Sequence, residues 1–177
     1  MHCKTASEGA QAPSIFYYTK KMIDKNDIIT AVEHAIHGTA LFLVDVAVSK
    51  DNVVTVEVDA ITGNVAIDDC VAITRAVYAE VDRDKEDYEL EVGSSGLTSP
   101  FKVKAQYEKN IGNEVEVLAI DGKKHKGVLS AVTNDDFTIM ETRKLKPEGA
   151  KRPIMVEQPQ TFKYSETKQT KYLIQFK

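Results

Sequence analysis

The chain has 177 residues, 42% of them hydrophobic and 28% charged, with a formal net charge of −4 at pH 7. That length suits one ordinary domain or two small ones, and the apolar content is that of a folded protein. No apolar run approaches the roughly 20 residues needed to cross a bilayer, and two cysteines far apart make no disulfide framework; both features read as a cytosolic protein.

Residues 1–21 read as a flexible leader, upstream of a start at Met22, because Ile15-Phe16-Tyr17-Tyr18 is too short for the core of a signal peptide. Asp24 and Asp27 are cap-type residues ahead of Ile28, Ile29, Val32 and Ile36, a spacing that predicts a helix stopped by Gly38. Leu41 to Val48 predicts a strand with Phe42, Val44, Val46 and Val48 on one face. A turn at Ser49–Asn52 leads to alternating Val54, Val56 and Val58, completing a hairpin. Beyond Gly63-Asn64, Asp68 is placed to cap a second helix whose stripe is Val71, Thr74, Val77, Tyr78 and Val81. Tyr88, Leu90 and Val92 then alternate as a strand. The order α-β-β-α-β predicts an α+β layer with its helices on one face of the sheet.

That last strand opens the stretch Tyr88–Phe101, YELEVGSSGLTSPF. Gly93 and Gly96 permit backbone angles that other residues resist, and Pro100 restrains the exit. The charge of the chain changes sign here. Residues 22–97 carry 5 Lys+Arg against 16 Asp+Glu, a net of −11, and residues 98–177 carry 15 against 10, a net of +5. The stretch therefore reads as a joint between an acidic domain, 22–98, and a basic domain, 99–177. Gly93, Gly96, Leu97, Pro100 and Phe101 form the joint, and Leu97, Pro100 and Phe101 fix the placement of the two domains.

Past the joint, Glu114–Ile120 alternates, Asp121-Gly122 signals a turn, and 124–133 and 136–142 read as two strands joined at Asn134-Asp135. Pro147, Pro153 and Pro159 make 143–161 a long loop, and Lys171–Phe176 reads as a last strand. Short strands with tight turns predict a small barrel. Lys123, Lys124 and Lys126, around His125, form a basic hairpin tip, suited to phosphate contacts that read no sequence. Arg143, Lys144, Lys146, Lys151 and Arg152 form a second basic group on the loop. Ordinary solvated turns are the competing reading of both.

Other motifs carry less. Gly93-Ser94-Ser95-Gly96 is formally a GxxG, but it follows a strand and has no positive charge, so it reads as a structural joint rather than a nucleic-acid clamp. His34 and His37 share a helix face without a third or fourth zinc ligand nearby. Cys70 lacks a base partner and reads as a buried small side chain. Asp82, Asp84, Glu86 and Asp87 read as a solvated acidic run. No phosphate loop, nucleophile elbow or dinucleotide fingerprint is present. No catalytic residue, metal ligand or cofactor site is assigned.

The strand–loop block resembles the ribosome maturation factor RimP family, which carries Tyr-x-Leu-Glu-Val, then Ser-Ser-Pro-Gly-Leu-Asp-Arg-Pro and an aromatic or aliphatic residue. Tyr88, Leu90, Glu91, Val92, Ser94, Gly96, Leu97, Pro100 and Phe101 match. Tyr107, Gly112, Val115, Val117, Gly127 and Leu129 look like the family's entry into its second domain. Ser95 replaces the family's proline, Thr98-Ser99 replaces its Asp-Arg pair, and 143–170 is longer than usual. The resemblance implies an α+β fold: a KH-like α-β-β-α-β layer followed by a small SH3-like β-barrel. It implies a monomeric, cytoplasmic, non-catalytic factor with no cofactor. Such a factor binds the immature small ribosomal subunit through a basic small-subunit ribosomal protein and nearby ribosomal RNA, and assists late assembly. A general RNA-binding module without a ribosome-specific role is the alternative; an enzyme of unrecognised type is another.

Overall fold

A computed structural model describes residues 22–82, 87–145 and 154–174; the expected leader lies outside them. In the acidic half, α1 (Lys25–Ile36), β1 (Leu41–Val48), β2 (Val53–Ala60), α2 (Ile67–Glu80) and β3 (Glu89–Ser94) follow one another. The strands form one sheet in the order β1-β2-β3. β1 and β2 are an antiparallel hairpin, whereas β3 runs parallel to β2, so the chain must cross over between them, and α2 makes that crossover. Helices and sheet close on a core of Ile28, Val32, Val46, Val54, Val56, Val58, Ile73, Val77 and Tyr88. Leu90 and Val92 pack against it, on the face that alternation assigns them.

Three local expectations change in this half. The register of β1 against β2 shifts between Leu43 and Asp45, and such a bulge reverses which side chains face the core. Leu41 and Leu43 therefore join Val46 and Val48 against the helices, and Phe42 and Val44 do not share their face. α2 begins at Ile67, two residues earlier than an Asp68 cap implies: Asp69 accepts from the Ala66 N–H at 2.9 Å. Its buried residues are Ile73 and Val77, with Val71 exposed. In the turn after β1, Asn52 is fully buried and has φ 65°, a left-handed conformation that Asn tolerates better than most residues. Its side chain accepts from the Ile23 N–H at 3.0 Å and donates to the Asp87 carbonyl at 2.7 Å. The Tyr88 hydroxyl similarly donates to the Val81 carbonyl at 2.9 Å.

The basic half contains α3 (Lys104–Lys109), β4 (Glu114–Ala119), β5 (Lys124–Val132), β6 (Asp136–Leu145), β7 (Ile154–Lys163), a 3-10 turn at Tyr164–Glu166 and β8 (Thr167–Tyr172). One five-stranded sheet runs β7-β6-β5-β4-β8, antiparallel throughout. Of the expected long loop at 143–161, residues 143–145 are instead the end of β6 and 154–161 lie in β7, with Pro159 opposite Met140, while 146–153 lie outside the described residues. β7 tolerates the proline because it is an edge strand. The Tyr164 N–H donates to Asp135 across the pair, and alternation from there turns Pro159, which has no N–H, toward the unpaired edge. The last strand is Thr167–Tyr172, four residues before the expected start.

Val115, Val117, Leu129, Phe137, Ile139 and Phe162 form one core with Tyr107 from α3. Phe162 and Val115 share it although their strands stand three places apart in the sheet, so the sheet is strongly curled. At Gly127 any Cβ would overlap the Met140 carbonyl; only glycine lets β5 and β6 approach so closely. Aromatic rings fill the interior: Tyr107 lies 5.0 Å from both Phe101 and Phe137, centroid to centroid, and Phe137 lies 5.8 Å from Phe162.

Candidate functional site

At the joint, Gly93 pairs within β3, opposite Glu57, and neither it nor Gly96 has a positive φ. A Cβ at 96 would sit 2.8 Å from Ser99 Oγ, a hydroxyl that a rotation of the serine side chain would carry away. Leu97 is exposed and packs against neither core. Pro100 bridges to Lys171, the Phe101 N–H donates to Thr170 at 2.7 Å, and the Phe101 ring packs on the C-terminal core. Pro100 and Phe101 thus begin the basic half.

Polar contacts span the two halves. Asp45 and Glu57 are cross-strand partners, an arrangement that repels. The Lys102 ammonium relieves it, lying 2.9 Å from both carboxylates. Its hydrogen bond holds the Asp45 carboxyl below the ordinary carboxylate value, and the same two carboxylates push Lys102 up. Lys109 reaches Asp59 at 2.7 Å and the Gly63 carbonyl at 3.1 Å. Gln106 accepts from the Lys102 N–H at 2.7 Å and donates to Ser95 at 3.3 Å. Sequence reasoning missed all three: Lys102 stands just before the cap of α3, and Gln106 and Lys109 lie within a helix of only six residues.

The expected basic residues divide. Lys124 and Lys126 come together around Glu116, each 3.5 Å from its carboxylate, and Lys171, not singled out from the sequence, completes the group at 3.6 Å. Glu116 lies on β4, with Lys126 opposite it on β5 and Lys171 opposite it on β8. Its side chain is 10% exposed, those of Lys124 and Lys126 62% and 58%. Burial raises the Glu116 pKa, but Lys124 and Lys171 outweigh it and hold the carboxyl below its usual value. Lys123 turns back to Asp121 at 2.9 Å, across a turn in which Gly122 has φ 83°.

Arg143 belongs to a different cluster, donating through Nε and Nη2 to Glu141 at 3.0 and 2.7 Å, with His125 Nδ1 3.4 Å from the same carboxylate. His125 lines a cavity of about 630 Å3 with Ile120, Lys123, Thr161 and Phe162. Lys144 sits in β6 opposite Met155; Lys146, Lys151 and Arg152 lie outside the described residues. Among the described residues no group of three His, Cys, Asp or Glu side chains is placed to hold a metal ion. His34 lies 3.2 Å from Glu80 on the protein surface, and Cys70 is half-buried.

Among the described residues no helix is long and apolar enough to cross a membrane. Residues 31–98 match the family described as the RimP N-terminal domain. Proteins named Ribosome maturation factor RimP from two strains of Porphyromonas gingivalis are each 43% identical over 153 residues, covering 86% of this chain and all of the relative. The protein of that name from Christiangramia forsetii is 31% identical over 139 residues, 78% of this chain and 90% of the relative.

Proposed function

The chain belongs to the RimP family of ribosome maturation factors, and from that premise we propose a non-catalytic, cytoplasmic, monomeric protein that docks on the immature small ribosomal subunit and assists its late assembly. The observation that carries the reading is the separation of charge between the halves, net −11 over residues 22–97 and net +5 over 98–177. An acidic surface suits a basic ribosomal protein, and exposed lysines suit ribosomal RNA. The domains are 22–98 and 99–177. The second is an SH3-like barrel; the curl around a single aromatic core and the close approach at Gly127 support this. Gly93, Gly96, Leu97, Pro100 and Phe101 connect the domains. Lys123, Lys124, Lys126, Arg143, Lys144, Lys146, Lys151 and Arg152 supply the contacts to the ribosome.

Capture from cell extract with the full-length chain tests the reading. Immature small subunits are expected to be retained, and free RNA only weakly. Retention of free RNA of any origin, without enrichment of small-subunit components, overturns the ribosomal assignment in favour of a general RNA-binding module.

A further inference from the structure

We infer that Lys124, Lys126 and Lys171, gathered by Glu116 on the outer face of the β5-β4-β8 sheet, form a seat for a single-stranded RNA backbone. The inference rests on the ribosomal reading only in its choice of RNA as the occupant.

The face follows from strand alternation. Val115 and Val117 point into the core, so Glu116 points outward between two strands that each present lysine at the same level. Lys124 and Lys126 are two residues apart on one strand, about 7 Å, and Lys126 and Lys171 flank β4 across two strand spacings, about 10 Å. These distances span one to two steps of an extended phosphodiester chain. Three ammoniums share one carboxylate, leaving an excess of positive charge; Glu114 stands at the far end of the same strand face. The chain as a whole is acidic, so phosphate is drawn to a local concentration of lysine such as this one.

The residue types restrict what the face can read. Lysine is a point charge without arginine's bidentate fork, and the neighbours on this face, Val128 and Gln169, offer no aromatic platform. Such a surface holds phosphates and reads no bases. Glu116 has two effects. It holds flexible lysine side chains together near the sheet, and it subtracts one charge from the field they produce.

The two effects separate in a salt titration. Wild type, K124Q/K126Q/K171Q, the charge-matched control K104Q/K163Q/K168Q and E116Q are titrated with a 20-nucleotide oligouridylate and with immature small subunits, between 50 and 300 mM KCl. Folding of each is checked by circular dichroism. The face-directed triple is expected to lose roughly tenfold or more in affinity, with a log–log salt slope shallower by about 2, while the control changes little. E116Q is expected to tighten oligouridylate binding severalfold and steepen its slope, the opposite of what loss of a merely structural residue produces. An unchanged slope in the triple, an equal loss in the control, or competition by polyglutamate as effective as by oligouridylate overturns the inference. If wild type ignores immature subunits but the oligouridylate results hold, the ribosomal reading fails and the phosphate seat stands. If subunits bind wild type and the triple alike, the seat fails and the ribosomal reading stands.

Discussion

The N-terminal sheet lays its apolar face beneath α1 and α2, whereas the C-terminal sheet wraps its apolar face around itself. The first core is accordingly aliphatic, dominated by Val and Ile with Tyr88 buried among them, because two helices bring a matching surface close to the strands. Among the described residues the second has only the six-residue α3 for cover, and the interior of its curl is filled by Tyr107, Phe137 and Phe162. Alternating strands are common to both halves; the supply of covering helix decides between flat layering and curling, and with it the choice of valine or phenylalanine. The face left over also differs. Behind the N-terminal sheet stand Asp45 and Glu57, held by Lys102, while outside the C-terminal sheet stand lysines around Glu116.

The largest effect expected is from Phe137→Ala. Phe137 is fully buried and touches Tyr107, Phe162 and Tyr164, so truncation costs about 3–5 kcal/mol. Hydrogen exchange followed residue by residue checks where that cost falls. Amides of β4, β5 and β6 lose protection and those of β1 and β2 keep it if the cores are independent. Equal loss in both halves breaks the contrast and makes the protein one cooperative unit.

Gly127→Ala tests the curl. The new Cβ would meet the Met140 backbone, and the strands must separate or shift, at a cost of about 1–3 kcal/mol. The denaturation midpoint is expected to fall, and a structure of the variant to show β5 and β6 opened near residue 127. Asn52→Ala tests the other half. It removes two buried hydrogen bonds and leaves alanine at φ 65°, costing about 1–3 kcal/mol. Asn52→Gly restores only the backbone freedom and recovers a fraction of that loss. Chemical denaturation of the three proteins gives the order.

What the sequence disclosed follows from the range of each signal. The order of elements in the acidic half and the strand face of Tyr88, Leu90 and Val92 rest on local alternation, and the structure has them. The phase of β1 was hidden because the bulge near Val44 inserts one residue into an otherwise regular pattern. β7 was hidden because Pro159 signals a loop unless the strand is known to be an edge, which depends on the order of the whole sheet. α3 is too short to display a helical period. Lys171 joins Lys126 only through their common neighbour Glu116, a relation that no spacing along the chain encodes. Lys102 and Lys109 were hidden because the carboxylates they meet, Asp45, Glu57 and Asp59, lie some fifty residues upstream.

The smallest effect expected is also the one that bears most directly on how the halves are joined. Lys102 and its two carboxylates are each more than a third exposed, so solvent screening leaves Lys102→Met costing about 0.5–1 kcal/mol. The pH dependence identifies its origin. Asp45 has a lowered pKa in the folded protein, so its share is complete above the ordinary carboxylate value and is lost as pH falls through the lower, folded one. Lys102 has a raised pKa, so its share is complete below the ordinary lysine value and is lost as pH rises through the folded one. The stability difference between wild type and Lys102→Met should therefore stay level from about pH 5 to pH 9, shrink below about pH 4 and shrink again above about pH 10.5. Spin-label distances between β1 and β5 over the same range are expected to broaden in the variant at every pH, and in wild type only outside that window. A wild-type distribution that stays narrow at pH 3.5, in protein still folded by circular dichroism, would show that the Lys109 and Gln106 contacts and the chain connection, rather than the Lys102 ammonium, hold the two sheets in register.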